Sequence, residues 1–221
     1  MDKKKFLQLY WRNYISMEKE FARTLDYVTL DSENYGTFSS AYIKLLLQIG
    51  SEIDINAKLL CKVYNEHTKV ENINDYRRVI INSEKDFCNT EVNILKKCNV
   101  SSFKPWENWN NSENLENPYW WRVYNNVKHK RMESDKIEDI EKDNYKFANL
   151  KNTLFALGGL YQLLIYIYFE WFGAKSDIKV PIPGSHLFEL SGNKWNNINF
   201  YQDIAFLIDA RGHLLYETGI Y

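Results

Sequence analysis

Residues 154–169, LFALGGLYQLLIYIYF, are the most apolar stretch of the chain, and their reading decides the fold. A membrane span and a buried core helix compete for it. Glu170 closes the run about four residues short of the roughly 20 that cross a bilayer, and Gln162 lies inside it. A helix at the centre of a bundle accounts for both features. The pattern extends from Tyr145 to Phe172, with Phe147, Leu150, Leu154, Leu157, Tyr161, Leu164 and Tyr168 recurring at helical steps. Gly158 and Gly159 lower helix propensity there, but their missing side chains allow a close helix crossing.

Such a helix needs partners that cover it. Phe6, Leu9, Tyr10, Met17, Phe21, Leu25 and Val28 mark one helix, and Asp31, Ser32, Asn34 and Gly36 end it. A second runs through Phe38, Tyr42, Leu45, Leu46, Ile49, Ile53, Leu60 and Tyr64, and a third is expected from Tyr76 to Cys98. Residues 99–117, with Pro105, Trp106 and Trp109, read as a long loop that either forms a site or conceals a short helix. Asn117 and Pro118 are the expected cap and first turn of a helix reaching Arg131. The acidic run from Glu133 to Asp143 is read as a solvated connector rather than a metal cluster. After Gly173 the pattern changes. Pro181, Pro183 and Gly184 precede short strand-like runs at His186–Leu190 and Phe200–Ile208, and residues 209–212 turn the chain into His213–Glu217. The expected architecture is an all-α helical bundle over residues 1–173 with a small β-hairpin-containing extension over 174–221.

The 221 residues carry 28 basic and 29 acidic side chains, a net charge of -1, so the chain does not grip long nucleic acid through charge alone. A small, charge-balanced RNA site is compatible with that. Cys61, Cys88 and Cys98 form no CxxC pair, which indicates reduced thiols, no disulfide framework and a cytoplasmic protein. The Met-Asp-Lys-Lys-Lys start leads to Glu18 and Glu20 rather than to an uninterrupted apolar run, so no signal peptide is expected. No glycine-rich phosphate loop and no HExxH motif occurs, and no metal, cofactor or membrane partner is expected. Ser185-His186 lacks a nucleophile elbow and a third group, which argues against hydrolase chemistry there.

The candidate site is WWRVYNNVKHKR, residues 120–131. At about 100° per residue, Trp120, Val123, Tyr124 and Val127 share one side, while Arg122 and His129 point within about 20° of each other on the other. Asn125 and Asn126 flank that line. Arginine can hold phosphate oxygens with a fixed fork of donors, and a neutral histidine can move a proton near pH 7. RNA brings its own nucleophile, the 2′-hydroxyl, so these groups suit metal-independent cleavage to a 2′,3′-cyclic phosphate and a 5′-hydroxyl. Lys128 and its basic neighbours would attract RNA, and Glu52 could orient the Arg/His row. The bland alternative is a surface Arg and His on a helix of an interaction module.

The segment resembles the HEPN superfamily, whose motif is an arginine, four to six residues and a histidine on a helix of an α-helical bundle. Arg122, six residues and His129 match it; position 123, commonly polar in active members, is Val123. The resemblance covers roughly residues 6–173. It implies a metal-independent endoribonuclease of toxin–antitoxin, abortive-infection or other antiviral systems. It also implies a homodimer whose motifs meet at the interface, with an antitoxin protein as a further partner. The alternative it leaves open is a noncatalytic helical protein-interaction or RNA-binding module.

Overall fold

The computed structural model describes residues 2–96, 98–110, 116–137, 140–173 and 180–195. The expected strand at Phe200–Ile208 and the turn into His213–Glu217 lie outside them. The described residues form a mostly helical bundle with a small β element.

At the N-terminus, α1 (Lys3–Phe6), a π-helical turn (Leu7–Trp11) and α2 (Arg12–Thr24) run on without leaving helical backbone angles. Phe6, Trp11, Tyr14, Met17 and Phe21 form the buried side of this helix. Ser39 caps α3 (Ser40–Tyr64), its hydroxyl accepting from the Tyr42 amide at 3.2 Å, which satisfies one of the open donors of the first turn. α4 (Ile73–Ser83) is capped in the same way by Asn72. The last long helix, α6 (Leu150–Phe172), starts at Asn149, which accepts from the Asn152 amide at 3.0 Å.

α6 occupies the centre of the fold. It is long and apolar enough to cross a membrane, and 89% of its most apolar window is buried inside the protein. Gln162 is wholly buried and donates its amide nitrogen to the Phe87 carbonyl at 2.7 Å, while its side-chain oxygen meets no hydrogen-bond donor among the described residues. The two glycines of α6 accommodate aromatic rings rather than a helix backbone. A Cβ at Gly158 would come within 2.6 Å of the Phe103 ring, and one at Gly159 within 3.2 Å of the Trp120 ring.

The expected third helix, Tyr76 to Cys98, stops early. α4 ends at Ser83, and a 3-10 turn (Phe87–Asn89) leads into β1 (Glu91–Ile94). The reason is a change of period: Val92 and Ile94 alternate inward with Glu91 and Asn93 between them. β1 is the middle strand of an antiparallel sheet. β2 (Ser102–Phe103) pairs on one side with Val92 opposite Phe103. On the other side β5 (Phe188–Ser191) runs from Ile94 opposite Phe188 to Glu91 opposite Ser191. The loop of residues 99–117 therefore contributes β2 and a second 3-10 turn (Glu107–Asn110), with Trp106 and Trp109 buried. The acidic connector is not irregular either. It folds into the hairpin β3 (Ser134–Ile137) and β4 (Ile140–Asp143), with Asp135 opposite Lys142.

α5 (Tyr119–His129) carries the candidate motif. It starts one residue after Pro118, and Asn117 does not cap it; the Asn117 amide donates to Asn74 instead, at 3.2 Å. It ends at His129 rather than Arg131. Its buried face is held by Trp120, whose indole meets Trp106 edge-on at 5.0 Å and donates to the Pro105 carbonyl at 2.8 Å. Tyr124 lies against the α3 backbone at Gly50, where any Cβ would overlap its ring.

Candidate functional site

Anchoring α5 by Trp120, Val123, Tyr124 and Val127 leaves Arg122, Asn125, Asn126, Lys128 and His129 on its outer side. The tandem tryptophans are therefore core groups, although Trp121 also walls a surface cleft. That cleft has a volume of about 700 Å³ and lies between the start of α4, the 107–110 turn and the first two turns of α5. Arg122, Asn125 and Asn126 line it together with Asn108, Asn117, Tyr119 and Ile73. Sequence reasoning singled out the first three. Asn108 and Asn117 arrive from the loop before α5, where no periodic pattern marked them, and Tyr119 is the first residue of α5.

Arg122 and Asn126 converge on one carboxylate. The Asp135 oxygens lie 3.3 and 3.4 Å from the Arg122 Nη2, and Asn126 donates its amide to one of them at 2.7 Å. Asp135 also accepts from the Lys136 amide at 2.9 Å. Partial desolvation raises the Asp135 carboxyl pKa, but the donations from Asn126 and Arg122 outweigh it and hold the group below its ordinary value. The Arg122 side chain is 55% exposed and the Asp135 side chain 35% exposed. Water screens such a pair, which is worth about 0–1 kcal/mol. The contact is therefore readily exchanged. Asp135 stood in the sequence as one acid among several in the connector, and nothing there linked it to Arg122.

His129 is the last residue of α5. It is exposed, does not line the cleft, and makes no hydrogen bond or ion pair among the described residues. Two turns of helix separate it from Arg122, about 10.5 Å along the axis. One chain thus places Arg122, Asn125 and Asn126 at one cleft and His129 beyond its edge. Lys128 is exposed, with its ammonium 5.5 Å from the centre of the Tyr124 ring. Lys130 faces Glu133 at 3.7 Å, and Arg131 donates to the Val127 carbonyl at 3.4 Å.

Glu52 is not brought to this row. Its backbone carbonyl accepts from the Asn56 amide on its own helix at 2.8 Å, and burial raises its carboxyl pKa, with the neighbouring Asn13 and Asn56 amides acting against that rise. The physical reason is angular: Gly50 faces Tyr124 of α5, and two further residues turn the helix by about 200°.

Among the described residues no group of three or more His, Cys, Asp and Glu side chains converges to hold a metal ion. Within the acidic hairpin, Asp135 meets Arg122 and Asp143 meets Lys146 at 2.9 Å. All three cysteines are free thiols, and burial pushes Cys61 and Cys88 up to about 12. Ser185 is buried and serves as a structural link: its hydroxyl donates to Glu18 and accepts from the Phe188 amide at 2.9 Å.

No protein-family model, no curated protein and no solved structure matches this chain.

Proposed function

We propose that this chain is a metal-independent endoribonuclease of the HEPN type. The observation that carries the reading is the convergence of the Arg122 guanidinium and the Asn126 amide on a single carboxylate at the mouth of a cleft. Donors arranged to hold one planar anion also suit the non-bridging oxygens of a phosphodiester. His129 then takes the proton of the 2′-hydroxyl. The 2′-oxygen attacks the adjacent phosphorus, the P–O5′ bond breaks, and the departing 5′-oxygen receives a proton. The products are a 2′,3′-cyclic phosphate and a 5′-hydroxyl.

The distance between Arg122 and His129 on one helix makes a second copy part of the proposal. In an isologous homodimer, α5 helices related by a two-fold axis would set His129 of one copy beside Arg122 of the other. The setting we infer is cytoplasmic, in toxin–antitoxin or antiviral defence, with an antitoxin protein as the restraining partner. The test is cleavage of several RNA classes in chelator, with product ends analysed. Arg122→Ala and His129→Ala should each abolish cleavage without loss of folding, and mixed dimers of the two should regain a share of it. Cleavage that needs added divalent metal, or that survives either substitution, would sink the mechanism.

A second reading rests on a specific observation. Val123 is 0% exposed and packs in the core, so a polar group cannot follow Arg122 into the site as it does in many active HEPN proteins. Together with the position of His129, this favours a noncatalytic RNA-binding or protein-interaction module. RNA binding that depends on Arg122 with no cleavage by the dimer would select it.

A further inference from the structure

The Asp135 contact and the cleft beside it share two residues, Arg122 and Asn126. Asp135 sits on β3 and offers its carboxylate to donors that belong to α5. The contact is exposed, and Asp135 reaches it from a two-stranded hairpin on which no sheet partner beyond β4 is found among the described residues. An external anion with two or more oxygens meets the same guanidinium and the same amide. The cleft that opens from this point falls within the roughly 300–1,000 Å³ typical of small-ligand sites.

Its lining states what else the ligand must carry. Among the described residues that line it, Arg122 is the only cation and Glu116 the only anion, so a phosphate is favoured at Arg122 and repelled from the Glu116 end. The remaining surface combines amides with rings. Asn108 makes no hydrogen bond among the described residues, and its amide presents a donor and an acceptor together. Asn125 gives one amide hydrogen to the Trp121 carbonyl at 3.0 Å, which fixes its orientation and turns its oxygen away from that bond. Trp121 and Tyr119 supply apolar walls. A flat heterocycle with hydrogen-bonding edges satisfies amides and rings at once, whereas a second phosphate satisfies only the amides.

We propose that this cleft seats one unpaired nucleotide, whose phosphate displaces Asp135 from Arg122 and Asn126 and whose base lies between Trp121, Tyr119 and the Asn108 amide. The proposal rests on the reading of α5 as an RNA site and adds the part of the substrate that enters. A base held in a duplex has its edge and faces occupied and cannot enter without being turned out of the stack. Asp135 acts as the resident occupant, so binding is a competition between two anions for one pair of donors.

The experiment is calorimetric titration of the full chain, in chelator, with the four ribonucleoside 5′-monophosphates and with ribose 5-phosphate, which lacks only the base. At least one nucleotide should bind about tenfold or more tightly than ribose 5-phosphate. Asp135→Asn, which keeps the shape and removes the competing charge, should tighten that nucleotide by about tenfold. Asn108→Ala should weaken the nucleotide and leave ribose 5-phosphate unchanged. Equal binding of nucleotide and ribose 5-phosphate would overturn the base seat, and unchanged or weaker binding by a folded Asp135→Asn protein would overturn the displacement. No binding of any nucleotide would overturn the proposal outright. RNA cleavage in the separate assay would still uphold the nuclease, and nucleotide binding without cleavage would uphold the seat while removing the nuclease.

Discussion

Tyr124 and Gly50 bind α5 to α3 by shape alone: the ring lies where the first atom of any side chain at position 50 would stand. Gly50→Ala forces the ring or the helix backbone to move, and overpacking of this kind costs about 1–3 kcal/mol. Denaturant unfolding should show that loss. Gly36→Ala is the control, because a Cβ there meets nothing within 4 Å, and its change should stay within about 0.5 kcal/mol on this count. Glu52 makes a second residue-scale prediction. Burial raises its carboxyl above the ordinary 4.5, so the folded state holds its proton more tightly than the unfolded chain does. Stability from this group is complete below the unfolded value and is lost as pH rises through the folded one. Glu52→Gln should therefore be more stable than wild type at pH 7 and lose that advantage toward pH 4, as read from urea midpoints at both pH values. The outer row of α5 was legible from sequence because four apolar side chains at helical spacing fix which side of the helix is buried. The direction of Glu52 was not, since it depends on which side of α3 meets α5.

Among the elements, the 3.6-residue period gave α3 nearly to its ends and α6 to its C-terminal end, while Tyr145 and Phe147, expected within α6, lie in a separate 3-10 turn (Asn144–Phe147). The period failed where neighbours distant in sequence decide the conformation. β1 has only two inward residues, Val92 and Ile94, too few to distinguish a strand from an irregular helix. Its conformation is settled by β5, about a hundred residues away, which pairs along its whole length. The β3–β4 hairpin is similar: its charges read as a solvated connector, yet they also place Asp135 on Arg122. The 107–110 turn was hidden for another reason. Its fold is written in two tryptophans that pack on each other at 4.4 Å, not in a repeated pattern. Trp106 also touches Trp120 and donates to the Gly159 carbonyl at 3.3 Å, so it joins the loop, α5 and α6. Trp106→Ala should cost about 3–5 kcal/mol, and the loss should include nucleotide binding, because the cleft is built between that turn and α5. Thermal unfolding and the calorimetric titration check the two parts separately.

For the molecule as a whole, the question is whether residues 180–195 form an appendage, as the sequence suggested for everything after Gly173, or part of the bundle. Three contacts bear on it. β5 is hydrogen-bonded to β1. Lys194 pairs with Glu84 at 2.6 Å and with Glu170 at the end of α6 at 2.7 Å. Glu18 on α2 is buried, and its carboxylate accepts from Tyr14 at 2.6 Å, from the His186 amide at 2.8 Å and from Ser185. An independent appendage would hang from the bundle by its covalent link and a few exposed contacts. Here a carboxylate in the core takes its donors from both parts, and burial together with its charge raises the pKa of Tyr14 well above the ordinary value. Glu18→Ala leaves the Tyr14 hydroxyl, the Ser185 hydroxyl and the His186 amide to find other acceptors, each lost bond costing about 1–3 kcal/mol where water cannot replace it. If residues 180–195 belong to the bundle, the variant should unfold in one transition shifted to lower denaturant, with hydrogen exchange accelerating at the amides of β1 and β5 together. Release of β5 alone, with the stability of the helices unchanged, would make it an appendage after all.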